Sequence, residues 1–140
     1  MRTIAQILKD SKTIAIVGLS NKPERASFGV AEYLQQQGYR IIPVNPAYEG
    51  QDILGERVYA DLQAAADALA AGGTRIDIVD CFRKSEDIPP LARDAIAIRA
   101  GCLWMQLEIE NQAAADLARA ADLDVVMNHC LKIEHRALNA

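Results

Sequence analysis

Residues 13 to 27, TIAIVGLSNKPERAS, constrain this chain more than any other stretch. A β-branched apolar run ends at Gly18 and opens into a polar, basic loop ahead of a helical segment. That succession forms the phosphate-binding corner of a parallel α/β sheet. The strand brings the chain to its carboxyl end, and the start of the helix offers N–H groups without intrahelical acceptors. The expected ligand is a nucleotide. The loop departs from the usual G-x-G-x-x-G turn, because Gly18 is followed by Leu19, Ser20, Asn21, Lys22, Pro23, Glu24, Arg25, Ala26 and Ser27. Ser20 and Ser27 can donate hydroxyl hydrogen bonds, Ser27 suits the N-cap of the helix, and Lys22 and Arg25 add two cations. Such a loop suits more than one phosphate group, although the same residues also fit an ordinary solvated loop with a serine cap.

The rest of the chain repeats the strand–helix alternation. Apolar runs at 13 to 17, 40 to 44, 76 to 81, 102 to 106 and 124 to 127 read as strands. Helices are expected at 27 to 37, ending at Gly38; at 61 to 71, capped by Asp61 and ending at Gly72 and Gly73; from a Ser85 cap to Gly101, with Pro89 and Pro90 in the first turn; and at 110 to 121. The amino terminus reads as a short amphipathic helix and the tail from Leu131 as a helical turn. Between Val44 and Asp61 no helical period appears, so a loop and a short edge strand near Arg57 to Tyr59 are expected there. Six strands result. Right-handed crossovers favour the order 3-2-1-4-5-6, with the switch point between the first strand and the strand at 76 to 81. The crevice above their carboxyl ends would gather Gly18 to Ser27, Asn45 and Pro46, Cys81 to Lys84, Met105 to Leu107 and Asn128 to Cys130.

Composition narrows the function classes. The 140 residues fit one domain with its own core. A formal net charge of -4 speaks against general nucleic-acid binding, so any basic site must be local. No apolar run approaches the roughly 20 residues that span a bilayer, and a soluble, cytoplasmic protein is expected. Cys81, Cys102 and Cys130 form neither a disulfide framework nor a zinc-binding spacing, and no metal site is expected.

The second strand ends at Asn45, where a NAD site carries a carboxylate for the ribose hydroxyls. An amide does not reproduce that charge, and Pro46 adds a flat face on which a purine could rest. No cation follows this strand to favour NADP; Lys22 and Arg25 belong to the phosphate loop, which points to a ligand with extra phosphate charge there.

The motifs GLSNKPERAS (18 to 27), YRIIPVNP (39 to 46), ILGERVY (53 to 59), DIVDCFRKSE (77 to 86), LWMQLEIEN (103 to 111) and VVMNHCLKIE (125 to 134) run through the whole chain in this order. Together they resemble the stand-alone CoA-binding proteins, small bacterial proteins of Rossmann-like fold related to the amino-terminal domain of the succinyl-CoA synthetase α subunit. The resemblance implies an α/β, doubly wound parallel sheet in a single three-layer domain over residues 1 to 140, with coenzyme A as its ligand. It implies that Gly18, Leu19, Ser20, Asn21, Lys22, Arg25 and Ser27 hold the diphosphate and the nearby 3′-phosphate, and that Val44, Asn45 and Pro46 flank the adenine nucleotide. It also sets Phe82, Arg83, Trp104 and Gln106 along the pantetheine, with core packing an equal reading for Trp104 and a salt bridge to Glu86 or Asp87 an alternative for Arg83.

Catalysis is not expected of this chain alone. His129 and Cys130 close the last strand, but neighbours on an extended chain point to opposite faces, and no third residue activates either. A complete CoA ligase also needs a phosphorylated histidine on a second domain and a nucleotide-grasping partner, neither of which this sequence supplies. The expected function is therefore binding of CoA or an acyl-CoA by a module acting as carrier, sensor or partner subunit. A NAD(P)-binding redox protein and a ligase or acyltransferase component completed by another chain remain the alternatives.

Overall fold

The computed structural model describes residues 1–139. Strands β1 (Thr13–Val17), β2 (Arg40–Val44), β5 (Ile78–Cys81), β6 (Cys102–Met105) and β7 (Asp124–Val126) form a five-stranded parallel sheet in the order β2-β1-β5-β6-β7. Helices α1 (Ile4–Asp10), α2 (Ala26–Gln36) and α6 (Leu131–Leu138) pack on one face, and α3 (Leu62–Ala70), α4 (Ile88–Ala97) and α5 (Gln112–Ala120) on the other. This is the expected three-layer, doubly wound α/β fold, and its order reverses between β1 and β5.

Burial on both faces explains why the central strands carry continuous apolar runs in place of alternation. In β1, Ile14 and Ile16 pack under α1 and α2, whereas Ala15 and Val17 pack under α3 and α4. The helices α4 and α5 meet the sheet through Ala92, Ala95, Ala114, Ala115 and Ala118, small side chains that let the layers approach closely. The opposite face uses larger residues such as Leu34 and Leu131, both without exposed surface, each contributing about 1.5–3 kcal/mol over an exposed position.

The segment expected to form a sixth strand folds instead as an antiparallel hairpin of β3 (Asp52–Ile53) and β4 (Glu56–Arg57). Only Tyr59 reaches the main sheet, in a single parallel bridge to Val44 on the edge foreseen for that strand. Pro43 explains why this edge can be thinly covered. Its carbonyl accepts from Tyr59 N–H at 3.0 Å, so the outward-facing position is the one that lacks an N–H of its own.

Helix ends differ from expectation where loops make tertiary bonds. Asp61 caps α3 as foreseen, accepting from Ala64 N–H at 2.8 Å. Ser27 lies inside the first turn of α2, whose N-cap is Arg25. Ser85 opens a short 3-10 turn (Ser85–Asp87) ahead of α4, and its hydroxyl accepts from Glu110 N–H at 3.1 Å. Arg99, at φ 57°, turns the chain after α4. Gly101 serves packing, since a Cβ there would lie 2.9 Å from Asp77 O. The tail is a full helix, α6.

Candidate functional site

The switch point opens a crevice whose first half is the corner after β1. Gly18 N–H donates to Val44 O at 2.8 Å and Phe82 N–H donates to Val17 O at 2.9 Å, which ties three strand ends together. Gly18 has φ +91°, and a Cβ there would collide with the Phe82 carbonyl oxygen, so only glycine fits. The loop then secures itself: Ser20 N–H donates to Ser27 Oγ at 3.0 Å, and Lys22 N–H donates to Ser20 Oγ at 3.1 Å. Asn45 Nδ2 donates to Leu19 O at 3.2 Å, and Asn45 Oδ1 accepts from Ala47 N–H at 3.0 Å. The first helical bond of α2 runs from Gly29 N–H to Arg25 O. The N–H groups of Ala26, Ser27 and Phe28 have no acceptor among the described residues, and the helix dipole there favours negative charge. These elements, with Lys22, Arg25 and Tyr48, border a polar chamber of about 380 Å³.

The second half is an apolar chamber of about 660 Å³ over the ends of β5 and β6. Val30, Leu107, Ile109 and Cys130 form much of its wall, Gln106 reaches it from below, and Arg83, Lys84, Asp87 and Glu108 stand around it. Ala26 and Phe82 line both chambers, so the two adjoin along these residues. The wall turn is held by Ile109 N–H donating to Gln106 O at 2.8 Å and Glu108 N–H donating to Asn128 Oδ1 at 2.6 Å. Among the described residues, neither Arg83 nor Lys84 forms an ion pair within 4.0 Å, so the salt bridge from Arg83 to Glu86 or Asp87 does not form.

The crevice brings together Gly18, Ser20, Lys22, Arg25, Ser27 and Asn45 in the first chamber, Phe82 between the two, and Arg83 and Gln106 in the second. Leu19, Asn21, Val44, Pro46 and Trp104 do not line either one. Leu19 and Val44 are buried core residues, and Asn21 and Pro46 are exposed beside the loop. Trp104 has no exposed surface, and its indole N–H donates to His129 O at 2.7 Å. It belongs to the core and anchors the segment that carries Cys130. Sequence reasoning foresaw Leu107 at the crevice but missed Tyr48, Val30, Glu108 and Ile109 as lining. The apolar residue one turn inside α2 was the available signal for Val30.

Chemistry at the thiols is limited. Burial, aided by Asp80, pushes the Cys81 thiol well up, and burial, aided by Asp124, does the same for Cys102. Cys130 is half-buried on the chamber wall, whereas His129 is exposed and its Nδ1 lies 3.6 Å from Glu134 Oε2. Among the described residues, no group of three or more His, Cys, Asp or Glu could hold a metal ion, and no helix is long and apolar enough to cross a membrane.

A family model described as CoA binding domain matches residues 12–136. The chain belongs to the CoA-binding domain family. Bacillus subtilis YneT, an uncharacterized protein, is 36% identical over 132 residues, covering 94% of this chain and 91% of its own. A solved structure from Thermus thermophilus matches with a TM-score of 0.85 at 32% identity, covering 96% of both chains. A hypothetical protein from Pyrococcus horikoshii OT3 matches with a TM-score of 0.86 at 36% identity, covering 98% of this chain and 90% of that one. The CoA-binding family's shared fold therefore extends over nearly the whole chain.

Proposed function

We propose that this chain binds coenzyme A or an acyl-CoA across the two chambers and has no catalytic step of its own. The observation that carries the reading is the placement of a polar, cation-bearing chamber directly beside an apolar one of about 660 Å³, with Ala26 and Phe82 common to both walls. Coenzyme A has the same division, a highly charged nucleotide joined to a thin chain of methylenes and amides. In this reading the free N–H groups of α2, with Lys22 and Arg25, hold the phosphates. Asn21, Pro46 and Tyr48 flank the nucleotide, and Phe82, Arg83 and Gln106 follow the pantetheine. Leu19, Val44 and Trp104 act from behind, by fixing the backbone against which the ligand lies.

NAD fits less well. Asn45 commits both ends of its amide to Leu19 and Ala47, leaving no carboxylate for ribose hydroxyls at the end of β2. Catalysis lacks a paired nucleophile and base, since His129 is exposed beside Glu134 while Cys130 faces the chamber.

The test is a thermal melt with CoA, NAD and NADP at equal concentration. CoA should raise Tm and the other two should not, because a ligand that binds only the native state stabilises it by mass action. A larger shift with NAD overturns the assignment. Cys130→Ala should keep CoA affinity within about tenfold, or ~1.4 kcal/mol, and the parent protein should release no free CoA from acetyl-CoA. Release that vanishes in Cys130→Ala would replace the binding module with an acyl-transfer enzyme.

A further inference from the structure

Beneath the apolar chamber lies a carboxyl group that the binding reading does not require. Asp80, in the central strand β5, has no exposed surface and sits level with Ile16 of β1 and Trp104 of β6. Its Oδ2 accepts from Gln106 Nε2–H at 2.9 Å, and its Oδ1 has no partner among the described residues. No cation of the described residues lies within 4.0 Å of it. Burial pushes the acid well above the usual carboxylate range, only partly opposed by the bond from Gln106. A polar group this deep costs stability, and an apolar residue of similar size would pack there without that cost.

What Asp80 does hold is Gln106. That side chain is 3% exposed, reaches the chamber, and makes no other hydrogen bond among the described residues. A primary amide has two N–H donors and a carbonyl acceptor. With one N–H given to Asp80, the other N–H and the carbonyl oxygen are unspent, and the rotation of the amide is restricted before any ligand arrives. We infer that Asp80 is a positioning residue, which fixes the amide of Gln106 so that its remaining donor and acceptor meet the amide groups of the pantetheine arm. The inference rests on the CoA reading and extends it to a residue that touches no ligand. Preorganisation of this kind removes the rotamer entropy that a free glutamine loses on binding.

The experiment compares CoA with 3′-phospho-ADP, the same nucleotide without the arm, by calorimetry on the full chain. Asp80→Leu and Gln106→Leu should each weaken CoA about tenfold, the scale of one hydrogen bond made in a buried site, and leave 3′-phospho-ADP unchanged. The double variant should be no weaker than either single one, because the two residues act as a unit. Asp80→Asn, whose Oδ1 can accept the same N–H, should restore CoA binding. Asp80→Ala gives the same reading if the leucine variant does not fold. Unchanged CoA affinity in Asp80→Leu, equal losses for both ligands, or failure of Asp80→Asn to restore binding overturns the positioning role. A parent protein that binds neither ligand overturns the CoA reading itself, and this inference with it.

Discussion

The polar chamber takes its donors from the backbone, through Gly18 and the first turn of α2, and adds cations on exposed side chains. The apolar chamber takes its fixed polar group from a buried side-chain pair, Asp80 and Gln106, under a wall assembled from α2, the β6–α5 turn and the start of α6. Where geometry comes from the backbone, a single glycine carries it. Where it comes from side chains, a second residue must hold the first. The polar half should therefore fail through conformation, and the apolar half through loss of a hydrogen-bond partner.

The largest effect expected is that of Gly18→Ala. The added Cβ meets the Phe82 carbonyl at a positive φ, and together these should cost about 2–5 kcal/mol of stability, read from urea unfolding, along with nucleotide binding. Full stability in this variant would break the claim that backbone geometry builds the polar chamber. Arg25→Ala should lose about 1.5–3 kcal/mol of CoA binding at an unchanged Tm, as expected for a charge-assisted bond to phosphate. The loss should shrink as salt is added, because the residue is exposed. Equal affinity of variant and parent would leave the phosphates to the N–H groups of α2 and Lys22.

The smallest effect belongs to the apolar half and is seen as a slope. The native state keeps a proton on Asp80 that the unfolded chain, with an ordinary value of 3.8, releases. This contribution is fully present below that value and is lost as pH rises above it, by up to about 1.4 kcal/mol per pH unit, until the native carboxyl itself ionises. Asp80→Asn should flatten unfolding free energy measured from mildly acidic to neutral pH. The remaining slope of the same sign belongs to groups such as Asp94, whose carboxyl is raised by burial and by Asp61 but is exposed and screened. An undiminished slope in Asp80→Asn would mean that the buried acid is ionised in the native state.

The same contrast decides what could be read from the sequence. Most of the polar chamber's lining comes from ten consecutive residues, 18 to 27, so the strand, the glycine and the basic loop were legible in order. Strand order was legible too, because crossover handedness leaves few alternatives. The apolar chamber joins segments far apart in the chain, and Glu108 and Ile109 carry no local pattern that marks them as lining. Trp104 shows a further limit. A tryptophan near the end of a strand fits a ligand wall as well as a core, and its full burial and the bond to His129 O distinguish the two. The edge strand expected at 57 to 59 failed for a physical reason: β3 and β4 pair with each other and leave one residue, Tyr59, for the sheet.

That same indole gives the molecule an optical probe of its own. The sequence contains one tryptophan, so all indole emission comes from a single place, and that place is bonded to the segment carrying Cys130 on the chamber wall. Its ring is fully buried and hydrogen-bonded, so the free protein should emit as a dry indole. Any shift in colour or intensity as the crevice fills reports strain at the junction of β6 and α6, without a label and without a substitution.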